Sequence, residues 1–99
     1  MQSHYPTSFD REYGCSEAEW LHWLPDALGD PAAHIGRGTA RVSIEGGGLV
    51  LEWSALPPRR IALVQLPRLA VRFRFTDVDD ARRYVFMRRF DLYLQRGGG

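Results

Sequence analysis

Apolar and polar residues alternate in the middle of the chain, which is the pattern of half-buried β-strands. Three segments alternate in this way, at residues 39–45, 49–54 and 69–75. The glycines at 46–48 separate the first two, and because glycine adopts positive φ at little cost they predict a hairpin loop. Residues 61–66 form an apolar run, as expected of a central strand. Together the four segments predict an antiparallel meander with one apolar face.

The segment that precedes the strands predicts a helix. Ser16 and Glu19 have the spacing of a capping box, in which each side chain accepts a hydrogen bond from the other residue's backbone N–H. Apolar residues then follow at helical spacing, namely Trp20, Leu21, Leu24, Ala27 and Leu28. Pro25 is expected to kink or end this helix, and Gly29 supplies a stop signal.

A second helix is predicted after the last strand. Asp77 is its expected cap, and aspartates near its start and arginines near its end match the helix dipole. Its apolar residues fall into two stripes, one of Val78, Ala81, Val85 and Leu92 and the other of Phe86, Phe90 and Leu94. Two alternatives remain for residues 90–94, which continue the helix or, because they also fit a period of two, form a last strand.

These elements predict one α+β domain over residues 1–99, a two-layer sandwich of helix, four-strand antiparallel meander and helix, with a possible fifth strand at the C-terminus. Residues 1–14 are expected to be an irregular arm that pins Tyr5, Phe9 and Tyr13 to the body. The glycine tail at residues 95–99 is expected to be frayed.

Composition narrows the class of protein. With 44% hydrophobic and 12% aromatic residues, the chain has the composition of an ordinary globular domain. No apolar run approaches the ~20 residues that cross a bilayer, and the N-terminus lacks the apolar core of a signal peptide. The single cysteine, Cys15, has no partner for an internal disulfide. We therefore expect a cytoplasmic protein that does not enter a membrane.

Charge is divided unevenly along the chain. Residues 1–58 hold three arginines against eight carboxylates, whereas residues 59–99 hold ten arginines against four aspartates. The net charge of +1 therefore combines an acidic and a basic half, and every basic side chain is arginine. Arginine forks onto carboxylates and phosphates. Either the two halves neutralise each other inside the fold, or the basic half faces a partner.

Arg72 and Arg74 lie on the polar face of the predicted sheet. In one interpretation they pair across strands with Glu45 and Glu52, at roughly 0.2–1 kcal/mol per pair. In the other they form an electropositive strip for a phosphate, a carboxylate or RNA. Sheets that bind RNA expose aromatic rings, whereas Phe73 alternates to the opposite face. The pattern therefore favours cross-strand pairing.

Catalytic chemistry has little support in the sequence. Cys15 precedes a helix, where a thiolate is stabilised, but His22 lies about two turns further along the chain. The histidines, at 4, 22 and 34, lack the spacing of metal ligands. We expect neither enzyme activity nor a metal or other cofactor.

The sequence therefore predicts a small non-catalytic interaction module, which self-associates as a homodimer or docks on a protein partner. The candidate interface residues are Trp23, Phe86, Phe90 and Leu94. The candidate residues for binding an anion or a partner are Arg72, Arg74, Arg82, Arg83, Arg88 and Arg89. The alternative is a domain that binds nucleic acid or another polyanion through these arginines.

Overall fold

The structure, a computed structural model, describes residues 4–96, in which two helices cover one face of a five-stranded antiparallel sheet. The elements in chain order are β1 (Ser8–Tyr13), α1 (Glu17–Leu28), β2 (His34–Ile35), β3 (Thr39–Ile44), β4 (Gly47–Ile61), β5 (Val64–Thr76) and α2 (Asp80–Arg96). The strand order across the sheet is β1-β5-β4-β3-β2. The α+β class is confirmed, but the strands differ in number and position from the predicted meander.

The first difference lies in the segment predicted to be an irregular arm. Residues 8–13 form β1, which pairs with β5 from Ser8 opposite Arg74 to Tyr13 opposite Leu69. Phe9 stacks on Phe73 with ring centroids 4.9 Å apart. The strand is hard to recognise because Arg11, a charged residue, occupies an inward position between two aromatic residues. The predicted glycine tail begins inside α2, and residues 97–99 lie outside the described part of the chain.

The second difference concerns residues 61–66, which are not a central strand. β4 continues through Pro57 and Pro58, with a register shift between Leu56 and Arg59, and turns back at Ala62 and Leu63. Residues 61–66 are therefore the exposed tip of a long hairpin. Among residues 4–96, this part of β4 has one neighbouring strand, β5, so its other edge pairs with no strand. Proline is tolerated at such an edge because the backbone N–H that it lacks is not needed for pairing there.

The third difference concerns the C-terminus. Residues 90–94 continue α2 and form no fifth strand, because Phe86, Phe90 and Leu94 recur every four residues and face the sheet together. The strand count reaches five through β1 and through β2, a two-residue strand in the loop before β3.

The helix boundaries follow from their caps. The capping box of α1 is confirmed, with Ser16 Oγ accepting from the Glu19 N–H at 3.1 Å and Glu19 Oε1 accepting from the Ser16 N–H at 2.9 Å. α1 passes through Pro25 and ends before Gly29, which has φ of 69°. The cap of α2 is Asp79 instead of Asp77, since Asp79 Oδ1 accepts from the Arg82 N–H at 2.9 Å.

Aromatic rings hold the two layers together. Trp20 of α1 meets Trp53 of β4 edge-on at 5.7 Å, and Phe90 of α2 meets Phe73 of β5 edge-on at 5.6 Å. Such pairs contribute about 0.5–1.5 kcal/mol each beyond the area that they bury. The last buried residues of the long hairpin are Trp53 and Leu69. The core therefore ends well before the hairpin tip.

Gly47 provides a test of the connection between β5 and α2. A Cβ atom at Gly47 would lie 2.3 Å from the carbonyl oxygens of both Thr76 and Asp77. Because backbone cannot move away as a flexible side chain can, we expect Gly47→Ala to lower the free energy of unfolding by about 2 kcal/mol or more. The control is Gly14→Ala, where a Cβ meets nothing within 4 Å. Urea denaturation of both variants measures the difference, and equal stability contradicts the prediction.

Candidate interaction surfaces

The outward face of the sheet carries paired charges. Arg72 Nε donates to Asp10 Oδ1 at 2.8 Å, and Arg74 Nη2 lies 2.8 Å from Glu52 Oε1. The sequence pattern predicted Glu45 and Glu52 as the partners; Glu52 is one of them, but Asp10 of β1 takes the place of Glu45. The hydrogen bond from Arg72 holds the pKa of Asp10 below its usual value. Arg72 and Arg74 therefore have carboxylate neighbours and do not form a bare electropositive strip.

The arginines of α2 are also engaged within the fold. Arg82 contacts Glu45 (Nε to Oε2, 2.5 Å) and Asp79. Arg83 donates to the Tyr5 and Val78 carbonyls at 2.8 and 2.6 Å. These contacts tie α2 to the β3–β4 turn and to the N-terminal segment.

Arg89 donates to the Leu28 carbonyl at 2.8 Å and so binds the C-terminal end of α1. The Arg88 side chain is exposed and has no hydrogen bond or ion pair within residues 4–96. The six candidate arginines thus lie on two different layers of the protein, and the structure does not bring them to one site.

The candidate interface residues lie mostly in the interior. Phe86, Phe90 and Leu94 are 7%, 0% and 6% exposed, because this stripe of α2 faces the sheet. In the folded monomer they are therefore not available to a second copy of the chain. Trp23 is half-buried and packs against the same core. Among the described residues of α2, the large apolar side chain that is exposed is Val85, at 67%, which belongs to the other stripe.

A partly buried ion pair joins β1 to α2. Arg11 and Asp91 form two parallel hydrogen bonds, Nη1 to Oδ1 at 2.5 Å and Nη2 to Oδ2 at 3.1 Å. The Tyr5 hydroxyl also donates to Asp91 at 3.1 Å, and the guanidinium lies 5.4 Å from the centre of the Phe9 ring. Burial is the largest single influence on Arg11 and disfavours its charge, but the hydrogen bonds to Asp91 and Tyr13 and the charges of both groups together outweigh it and raise the pKa of the guanidinium. Burial also disfavours the charged form of neighbouring Tyr13, and this raises the pKa of its hydroxyl to about 12.

The outer part of the long hairpin exposes several apolar residues, and we define it, residues 56–68 of β4 and β5, as the β-arm. The paired residues of the arm are Leu56 with Arg68, Arg59 with Leu66, Arg60 with Gln65 and Ile61 with Val64. Neither β1 nor β3 reaches this part of the hairpin, since their pairing within residues 4–96 stops at Leu69 and Glu52. At the tip Leu63 is fully exposed, and Ile61 and Val64 are more than half exposed.

Arginine is the charged residue of the β-arm. Arg59, Arg60 and Arg68 lie within it and no carboxylate does. Glu12 of β1 contacts two of them, Arg68 at 2.9 Å and Arg59 at 3.8 Å. The hydrogen bond from Arg68 lowers the pKa of Glu12. The β-arm therefore has an apolar tip, with arginines between the tip and the body of the protein. The apolar run at residues 61–66 indicated this surface in the sequence, but the pattern was interpreted as a central strand of the core.

An open groove lies at the other end of the sheet, with a volume of about 520 Å³. We call it the turn-end groove because it adjoins the β3–β4 turn. Its apolar lining comes from α1, β3 and α2, namely Leu28, Val42, Ile44, Ala81, Val85 and Phe86. The polar and charged residues Asp30, Ser43, Glu45, Arg82 and Arg89 complete the lining.

The ion pair between Arg11 and Asp91 can be tested by truncation. Asp91→Ala leaves the partly buried guanidinium without its anion, and we expect a loss of about 2 kcal/mol in the free energy of unfolding. Asp10→Ala, which removes an exposed partner of Arg72, is the control and should cost much less. In a double-mutant cycle with Arg11→Met, the combined loss should be smaller than the sum of the two single losses, and additive losses contradict the coupling.

Cys15 provides a test of the expected lack of nucleophilic chemistry. The side chain is buried, and burial, with a smaller effect from the charge of Glu19, raises the pKa of its thiol. A raised pKa leaves less thiolate at neutral pH. We expect alkylation by iodoacetamide in the native protein to be at least about tenfold slower than in the urea-unfolded chain. Native alkylation at or above the unfolded rate contradicts this.

The described residues offer little for other classes of site. Within residues 4–96, no group of three or more His, Cys, Asp or Glu side chains is placed to hold a metal ion. Neither helix, over the same residues, has the length and apolar character needed to cross a bilayer. In comparisons with known proteins, no family model and no curated protein matches the chain.

Proposed function

We propose that the protein is a non-catalytic interaction module that self-associates, with the β-arm as its binding element. The observation that carries the proposal is the exposure of Ile61, Leu63 and Val64 at the tip of the arm. Burial of each such side chain against a protein surface is favourable by about 1.5–3 kcal/mol. An isolated two-stranded hairpin is also marginally stable in water, so contact with another surface would order it.

The proposal changes the interface that the sequence suggested. Phe86, Phe90 and Leu94 serve the core, and Val85 and the β-arm carry the large apolar side chains that remain exposed on α2 and on the hairpin. A burial of Cys15 that disfavours its thiolate supports a binding role over nucleophilic catalysis. A lone buried cysteine also suits a reducing compartment, and we propose the cytoplasm.

The alternative function is polyanion binding, and one observation favours it. Arg59, Arg60 and Arg68 give the β-arm a formal charge of +3, and apolar residues at its tip resemble the wedges that some DNA-binding arms insert between bases. The six arginines that the sequence suggested are less suited to this role, because five of them hold carboxylates or backbone carbonyls.

Sedimentation velocity over a concentration series tests the proposal. We expect a monomer–dimer equilibrium between about 1 and 100 µM, the affinity range of a small apolar contact. A strict monomer throughout this range contradicts self-association. Retention on an anionic polymer column that falls steeply with salt, in a protein that stays monomeric, would favour the polyanion alternative instead.

A further inference from the structure

The β-arm and the turn-end groove lie at opposite ends of the molecule. β4 begins at Gly47, beside the β3–β4 turn, and ends at Ile61 in the tip of the arm. Its 15 residues at about 3.3 Å per residue span nearly the whole length of the protein. The longest dimension is 47 Å. One apolar projection and one apolar recess are therefore separated by the length of the sheet.

The two ends carry opposite charge. At the arm end, Arg59, Arg60 and Arg68 outnumber Glu12, which gives a formal charge of +2. At the groove end, the groove lining, the β3–β4 turn and the start of α2 hold five carboxylates, from Asp30, Glu45, Asp77, Asp79 and Asp80, against three arginines, Arg82, Arg83 and Arg89. The formal charge there is −2. The arm of one molecule is thus attracted to the groove end of another.

The shapes are also complementary. The groove is open and has a volume of about 520 Å³, within the range of ligand-binding clefts, so it has room for the aliphatic side chains of the tip. Val85 lies exposed on its wall, and Leu63 projects fully into solvent from the tip. Contact between these two side chains would remove two exposed apolar residues at once.

We propose that the β-arm of one copy docks in the turn-end groove of a second copy, and that the second copy returns the same contact. This inference rests on the proposed self-association. Two copies placed side by side and antiparallel bring each arm to the partner's groove, so a two-fold axis closes the dimer. Contact between the two tips is disfavoured because it would bring six arginines together.

Three substitutions to glutamate at exposed apolar positions test the contact. Leu63→Glu alters the arm, Val85→Glu alters the groove, and Leu21→Glu on α1, at a position 40% exposed, is the matched control. We expect either of the first two to weaken dimerisation at least about 100-fold, because a charge is buried at both symmetry-related contacts. The control should change it by less than about threefold. Circular dichroism checks that each variant is folded. Val64→Thr, which keeps a β-branched side chain, should also weaken dimerisation, but less than Leu63→Glu does.

A mixture of the two altered proteins gives the decisive measurement. Each variant alone loses both contacts, whereas a heterodimer of Leu63→Glu with Val85→Glu retains one intact arm in one intact groove. We expect the mixture to associate at least about tenfold more tightly than either variant alone, with weakening at high salt. A wild-type dimer that neither variant weakens, or a mixture that gains nothing, overturns the inference but leaves self-association standing.

A wild type that remains monomeric contradicts the proposed function itself. A parallel binding assay distinguishes two other partners of the β-arm, a lipid surface and nucleic acid. It uses vesicles that contain anionic phospholipid and a DNA duplex. Binding to either that Leu63→Glu abolishes, in a protein whose dimer is unaffected by that substitution, would assign the arm to a lipid surface or to nucleic acid and overturn the inference.

Discussion

The ion pair between Arg11 and Asp91 joins β1, near the start of the chain, to α2, near its end. The part of the core that lies between these two elements depends on it. β1 is an edge strand with β5 as its one neighbour among the described residues, so its inward side chains need cover from α2. At the inward position of Arg11, Asp91 of α2 provides that cover. Without Asp91, burial of the unpaired guanidinium charge would cost free energy. With β1 in place, Phe9 stacks on Phe73, and the Tyr5 carbonyl accepts from Arg83. The N-terminal segment thereby becomes part of the sheet and of the core.

The same logic explains the uneven distribution of charge along the sequence. Among residues 4–96, five ion pairs join arginines of the basic half to carboxylates of the acidic half, namely Arg59–Glu12, Arg68–Glu12, Arg72–Asp10, Arg74–Glu52 and Arg82–Glu45. Arg11–Asp91 crosses the same boundary with the signs reversed. Each exposed pair contributes little to stability, because water screens its charges. They also favour the observed pairing of strands, because the register sets Asp10 of β1 opposite Arg72 of β5. The antiparallel register of β1 on β5 is the clearest example.

Features set by local chemistry were predictable from the sequence. The capping box of Ser16 and Glu19, the stop at Gly29 and the inward residues of β3 and β5 are all determined by neighbours within a few positions. Features that depend on distant partners were not. Arg11 occupies an inward position because Asp91 lies 80 residues further along the chain, and no local pattern records that. Similarly, both stripes of α2 fit a helix equally well, and the sheet determines which one is buried.

Residues 61–66 show a different limit of sequence analysis. An apolar run is typical of a buried strand only if the fold supplies something to cover it. Here β4 and β5 extend beyond β1 and β3, so residues 61–66 are exposed to solvent. Their exposure is determined by where β1 and β3 end, and their own apolar composition does not reveal it. The candidate binding surface was therefore missed at the residues whose pattern was strongest.

The prolines of the β-arm indicate how such a surface would bind. An exposed two-stranded ribbon normally offers backbone donors and acceptors at its edges, which invite further strands and aggregation. Pro57, Pro58 and Pro67 each remove one N–H from the arm, and the register shift beside Leu56 interrupts the regular spacing. Pairing of another strand along the arm is thereby disfavoured, while Leu63 at the tip remains fully exposed. Recognition by side chains entering a recess is compatible with these features, whereas recognition by strand addition is opposed by them. The arm's sequence thus favours a partner with an apolar groove, and the opposite end of the same molecule has one.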